Sequence, residues 1–279
     1  MNIPSSGWRK RPGILIPVFF LCLLQGPLFG QKLWPGAASA ALGGSRVCLQ
    51  GYWCASQNQA GLGFLETSSI SLQHSMPYLL SELGISSLSL QFSSPAGALG
   101  IAFSTLGLKG FRQSSLWLSY GLKLNTSLSA GLGIHFWFTS VPEQVFATPG
   151  VSFALGLLLQ INGQWMLGAR LLHPAGWYSA TELSRLKQGT IEAGISYTFF
   201  GMARILAELQ FNTLNQLQLR SGMEWNLNRT VLLRIGFCDR PATFSGGIGL
   251  HYPRWIADIS FQYGTAYGLS PYTSLTHAW

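Results

Sequence analysis

Residues 125–138 read Asn-Thr-Ser-Leu-Ser-Ala-Gly-Leu-Gly-Ile-His-Phe-Trp-Phe and alternate with a period of two. Leu128, Ala130, Leu132, Ile134, Phe136 and Phe138 are apolar; Ser129, Gly131, Gly133 and His135 are small or polar. Successive side chains on a strand point to opposite faces, so this stretch is a ribbon with one greasy and one mild face. The rhythm recurs almost to the end of the chain, in a sequence where only 9% of residues are charged. Soluble domains carry about 25% charge to face water. The combination predicts an all-β fold, a transmembrane antiparallel β-barrel of about fourteen strands.

The rest of the composition agrees. Aromatics reach 13%, and glycine is abundant at 33 residues. Beyond the N-terminus no stretch approaches the roughly 18–20 apolar residues of a membrane helix. A closed barrel is then the remaining way to satisfy every backbone group in lipid. Residues 1–30 read as a signal peptide, with basic Arg9, Lys10 and Arg11, an apolar core from Gly13 to Leu24, and cleavage after Gly30. Cys22 would suggest a lipoprotein, but Phe19-Phe20-Leu21 lacks the small residue that lipidation needs.

Removing the three basic residues takes the formal charge from +8 to about +5, too dispersed to make a nucleic-acid surface. Cys48, Cys54 and Cys238 remain, and the first two are spaced for a local disulfide. No Cys/His spacing resembles a zinc site, and nothing calls for a cofactor.

Residues 31–65 lack two-residue alternation and are rich in Gly and Ala, so they form no lipid-facing strand and read as a plug. The barrel occupies 66–279. Its predicted strands are 67–73, 84–93, 97–105, 112–124, 126–139, 148–161, 163–172, 187–199, 202–211, 215–227, 229–238, 243–252, 255–263 and 269–279. Every second connection is very short and built from Asn, Gly or Pro, as at Asn125, Asn162, Gly201, Asn228 and Pro253. The others, notably 74–83, 140–147 and 173–186, are mostly longer. Short turns on one side and longer loops on the other suit an outer-membrane barrel with both termini in the periplasm. Trp279 supplies the terminal aromatic usual in such barrels.

Parity sorts the strand residues. Leu116, Leu118, Tyr120 and Leu122 face lipid, as do Ile191 to Phe199 and Val231 to Phe237 at alternate positions. The opposite parity holds Lys123, Arg170, Glu192, Arg204, Glu208, Arg220, Glu224, Arg234 and Asp258. A midplane Arg or Lys facing lipid would cost about 2–4 kcal/mol, which explains the segregation. These nine form a predicted luminal polar network, either a conduit or a salt-bridge ladder that fills the pore. His135 and His251 share the inward parity and face each other or a ligand on one reading, or merely fill space on another. Gly131 and Gly133 fit a wall that meets a plug. Trp34, Trp53, Trp137, Trp165, Trp177, Trp225 and Trp255 read as an interfacial girdle rather than a sugar platform. No Gly-x-Ser-x-Gly elbow occurs, and no catalytic residue is assigned.

The plug segment carries one specific pattern: Gly36-Ala-Ala-Ser-Ala-Ala-Leu-Gly43-Gly44, then Asn58-Gln59-Ala-Gly61-Leu-Gly63. It resembles the opening of the PorV/PorQ group within the FadL-like fatty-acid-transporter superfamily of Bacteroidota. Ser39, Leu42 and Gln59 stand where that pattern typically has Arg, Met and Pro. Gly268 to Leu275 is similar to the family's last strand, with Pro271 in place of a usual His. The resemblance implies a hatch inside a fourteen-strand barrel, set in outer-membrane lipid.

It also implies two functions. PorV-like members act with type IX secretion machinery, whereas the transporters bind hydrophobic small molecules. Long external loops build the transporter groove, and the loops here are short, so the sequence favours a secretion or surface protein partner. Trp177, in the longest loop, is the candidate partner contact. A barrel lipid hydrolase, the enzymatic class, lacks a Ser/His arrangement.

Overall fold

The two-residue rhythm closes on itself. The computed structural model describes residues 36–107, 112–140, 148–178, 189–213, 216–265 and 268–279. The strands are β1 (Ser69–Ser75), β2 (Ile85–Ser94), β3 (Gly97–Leu106), β4 (Arg112–Lys123), β5 (Leu128–Ser140), β6 (Thr148–Gln160) and β7 (Trp165–Tyr178). They continue as β8 (Thr190–Phe199), β9 (Ala203–Asn212), β10 (Leu217–Asn226), β11 (Val231–Asp239), β12 (Ala242–His251), β13 (Trp255–Gly264) and β14 (Gly268–Ala278). Each pairs antiparallel with its sequence neighbours, and β1 pairs with β14, giving a closed barrel without edges. The fourteen strands sit where the alternation puts them, apart from small shifts at their ends and one larger difference in β7.

The tight turns, together with Ser69 and Ala278, define one end of the barrel, called here the turn end; the opposite rim is the loop end. Asn125, Asn162 and Asn228 each accept two backbone N–H groups through Oδ1, at 2.7–2.9 Å, and so build their turns from the side chain. Connections at the loop end are uneven, for β11 and β12 are joined by Arg240 and Pro241 alone.

The outer surface is apolar. Leu132, Phe153, Leu155, Ile191, Ile235 and Ile259 are among its exposed side chains. Trp165, Trp225, Trp255 and Trp279 stand outward near the turn end, and His277 packs between Trp255 and Trp279 at ring separations of 4.5 and 5.9 Å. An aromatic belt of this kind marks a membrane interface.

Two tryptophans depart from that belt. Trp137 is buried and turned into the lumen, and Trp53 is buried within the plug. Trp177 belongs to strand β7, paired with Val151, and not to a loop; its side chain lies outside the described residues, as do residues 179–188, Trp34 and the 1–30 segment. The cause is a bulge. The β6–β7 register jumps from Ala154↔Leu172 to Ser152↔Gly176, so residues 173–175 stand opposite Phe153 alone. Pro174 has no N–H to give to a ladder, which favours a bulge there, and the strand resumes beyond it. Pairing of β7 with β8 stops at Leu172↔Thr190.

Residues 36–65 fill the lumen. Helix α1 (Ala37–Ala41) is built from small residues and ends at Gly43 and Gly44, with φ of +71° and +83°. The Gly44 N–H returns to the Ser39 carbonyl at 2.8 Å, a left-handed cap that suits glycine. A 3-10 helix, Gln59–Phe64, follows, capped by Asn58, whose side chain accepts from the Ala60 N–H. Cys48 and Cys54 are free, buried thiols, so the local disulfide open to the sequence is not formed.

Candidate functional site

The plug is held by the wall rather than by itself. Glycines on inward positions let it come close: a methyl group at Gly131 would overlap the Gln59 and Ala60 backbone, and one at Gly236 would overlap Leu42 and Gly43. Inward hydroxyls and amides then catch plug carbonyls. Ser119 donates to Ala55 at 2.7 Å, Ser129 to Ala60 at 2.6 Å, Ser245 to Ala41 at 2.9 Å, Ser260 to Ala37 at 2.7 Å and Gln262 to Ala40 at 3.0 Å. Asn58 donates to Val47 within the plug and to Leu157 of the wall. Gln59 is fully buried below Gly131 and Gly133, Gly36 packs against Trp53, and Gly61 against Cys54.

The charged side chains fall into two clusters. In the first, Glu192 is fully buried and pairs with Arg46 of the plug, with Arg170 at 3.7 Å and with Arg220 at 3.8 Å. Arg220 also meets Glu208 at 3.0 Å, and the other oxygen of Glu208 accepts the backbone N–H groups of Arg46 and Val47 at 2.7 and 2.9 Å. Three cations against two carboxylates leave this cluster at 3 − 2 = +1. In the second, Arg204 pairs with Glu224 at 2.9 Å, and Arg234 lies 2.6 Å from both Glu224 and Asp258. Two cations and two carboxylates balance to zero.

The wall charges thus divide into a clamp on the plug and a self-paired ladder beside it. Lys123 joins neither. It is exposed at the turn end, with its ammonium 5.4 Å from the Phe64 ring centroid.

Arg46 completes the clamp, and the sequence reading missed it because the plug has no periodicity to assign a direction to a side chain. Also missed was an aromatic layer on the loop-end side of the plug. Trp117 stacks on His135 at 4.0 Å with the planes 6° apart. Trp137 and His173 lie 5.3 and 5.4 Å from His135, and the Arg170 guanidinium sits 5.4 Å from the Trp117 ring. Trp117 packs with Ala55 of the plug and with Ala102, Ala154 and Leu172 of the wall. His173 reaches the layer from the β7 bulge, where its φ is +52°. His251 lies elsewhere: it lines an open hollow of about 490 Å³ at the turn end, with Glu224, Asn226 and Arg229. The two inward histidines therefore belong to different sites.

Among the described residues no group of three or more His, Cys, Asp or Glu side chains is placed to hold a metal ion. The arrangement offers a plug pinned by charge on one flank, covered by an apolar, aromatic layer on another, and open hollows at the turn end.

No protein-family model matches the sequence, and a search of curated proteins finds no match. Solved structures do match in fold. The monoaromatic hydrocarbon channel CymD superposes with a TM-score of 0.69 at 12% identity, covering 90% of this chain and 98% of that one. The toluene transporter TbuX of Ralstonia pickettii gives 0.70 at 12%, covering 89% and 99%. A FadL homologue of Pseudomonas aeruginosa gives 0.64 at 12%, covering 88% and 99%. At such identities the likeness is one of fold alone, a closed antiparallel barrel.

Proposed function

We propose that this protein is a non-enzymatic outer-membrane channel for hydrophobic small molecules, with its loop end outside the cell and its turn end and termini in the periplasm. The observation that carries this reading is the layer of Trp117, Trp137, Leu172, Ala102 and Ala154 seated on the plug. Lying on the loop-end side of the plug, that layer is an apolar, aromatic inward face suited to a greasy solute arriving from the loop end. The fold likeness to barrels described as hydrocarbon and toluene transporters supports the same class. The test uses the purified full chain in liposomes. Toluene and a long-chain fatty acid should enter protein-containing vesicles faster than empty ones, and toluene should quench the intrinsic tryptophan emission. Equal rates in both vesicles, with no quenching, would sink the channel.

The second reading is a PorV/PorQ-like component that serves type IX secretion or surface assembly through its outer rim. It rests on the 36–63 motif, which matches the PorV/PorQ pattern only with Ser39, Leu42 and Gln59 substituted. The loop contact offered for it, Trp177, stands in a strand and not in a loop. Purification from native membranes decides it: a stoichiometric secretion-machinery partner would restore this reading above the channel.

A further inference from the structure

The open hollow of about 490 Å³ at the turn end belongs to the wall and not to the plug. Its lining comes from β10, β11 and β12 and from the β8–β9 and β10–β11 turns, and none of residues 36–65 takes part. Backbone bonds hold these pieces in place. The Asn226 N–H donates to the Met202 carbonyl at 2.7 Å, and its side-chain amide donates to the Gly201 carbonyl at 3.2 Å. The His251 N–H donates to the Thr230 carbonyl at 2.7 Å, in a turn that Asn228 already braces from its side chain. A preformed concavity of about 300–1,000 Å³ is the usual size for a small organic ligand.

The charges around it are unequal. Glu224 lines the hollow, but it is neutralised by Arg204 at 2.9 Å and by Arg234 at 2.6 Å, and Arg234 also meets Asp258. Arg229 is exposed in the lining and makes no ion pair among the described residues. Three arginines against two carboxylates give 3 − 2 = +1, so the surplus is one guanidinium. Its planar fork of donors matches the paired oxygens of a carboxylate or sulfonate. The same lining is apolar elsewhere. Met202 and Leu227 are 59% and 49% exposed, and Leu232 adds a third aliphatic side chain. Covering such surface favours a ligand with an apolar body.

We propose that this hollow is a binding site for a small organic anion of single charge, with its acidic group on Arg229 and its apolar body on Met202, Leu227 and Leu232. Cations find no free carboxylate there, since Glu224 is already paired twice. Neutral hydrocarbons lack the group that a guanidinium holds. The site lies at the end of the barrel away from the aromatic layer, so it stands or falls apart from the hydrophobic-channel reading.

The experiment is ligand-observed fluorine NMR on the full chain in lipid nanodiscs, with empty nanodiscs as the blank and 4-fluorobenzenesulfonate as the probe. The probe should broaden with the protein, whereas 4-fluorobenzyl alcohol and 4-fluorobenzylamine should bind about tenfold more weakly or worse. That comparison uses the parent chain and needs no substitution. Arg229→Gln should weaken the sulfonate about tenfold, and Met202→Ser should weaken it about threefold. Arg254→Gln, exposed on the β12–β13 turn but outside the lining, should leave it unchanged. Both lining positions are exposed, and heat-modifiable mobility checks that each variant is folded. Excess toluene should not displace the probe. Broadening no greater than in the blank, or an alcohol that binds as tightly as the sulfonate, overturns the anion site. Equal losses in Arg229→Gln and Arg254→Gln would replace it with diffuse rim charge, and no loss in Met202→Ser would remove the apolar contact. Displacement by toluene would move the probe to the aromatic layer and overturn the site.

Discussion

Arg46 of the plug and Glu192 of the wall form an ion pair in which neither side chain is more than 5% exposed. Among the described residues nothing else ties the plug to strand β8 by charge, and the pair sits where Arg170 and Arg220 already compete for the same carboxylate. Breaking a buried pair from one side leaves a bare charge, typically at a cost of about 3–5 kcal/mol.

Glu192→Gln should therefore release the plug while the barrel stays closed. The substitution raises the clamp from +1 to 3 − 1 = +2. Arg46→Met combined with Glu192→Gln returns it to 2 − 1 = +1. We expect the single variant to raise ion conductance in planar bilayers and to lower the urea midpoint. The double variant should recover at least half of that midpoint loss. Additive losses in the double variant would show that the charges act independently.

Plug docking also depends on absent side chains. Gly131→Val should push against the Gln59 backbone, and overpacking of this kind costs typically about 1–3 kcal/mol. Gly163→Ala, in a turn with no atom within 4 Å, is the control and should change the urea midpoint little. Protease cleavage within 36–65 should become faster in Gly131→Val and stay slow in the control. Equal protection of the two variants would mean that the plug has room to spare.

The free thiols give a pH-dependent readout. Burial pushes the Cys54 thiol from 9.0 up to about 12, and the thiolate is the form that reacts. The folded chain should resist maleimide at pH 8 and be modified at once in urea. Between about pH 9 and 12 the unfolded chain ionises this thiol and the folded chain does not, so stability contributed by the neutral thiol is lost as pH rises. Modification of Cys54 in the folded barrel at pH 8 would contradict its burial.

Much of this architecture is legible in the sequence. Strand alternation fixes which residues face lipid, because a slip of one residue would turn Leu116, Leu118 and Leu122 inward and Arg170 or Glu192 into hydrocarbon. Parity also brings eight of the nine predicted network residues into the lumen. It says which side of the wall they face and not which partner each one finds. The division into clamp and ladder follows from where Arg46 lands, and a plug without period gives no direction for its side chains. The aromatic layer is harder still. Trp117, His135 and Trp137 come from neighbouring strands, but His173 has inward reach only because the chain bulges before Pro174. That same bulge carries β7 on to Tyr178 and takes Trp177 out of the loop.

The aromatic layer supplies the last prediction. Trp117 is 2% exposed, touches the plug through Ala55 and stacks on His135, so it both closes the lumen over the plug and offers the apolar surface for a solute. These two roles separate by substitution. Trp117→Phe keeps an aromatic face and loses little, because stacking and apolar area are largely retained. Trp117→Ala removes a large buried side chain, for which a cost of about 3–5 kcal/mol in stability is usual. Where the layer receives the solute, toluene affinity should fall about tenfold in the alanine variant, equivalent to about 1.4 kcal/mol. Ion conductance should rise in the same variant as the cover opens. The phenylalanine variant should stay within about threefold of the parent in affinity. Unchanged toluene binding in Trp117→Ala, with raised conductance, would leave the layer as a cover only and move the solute's first contact to another surface.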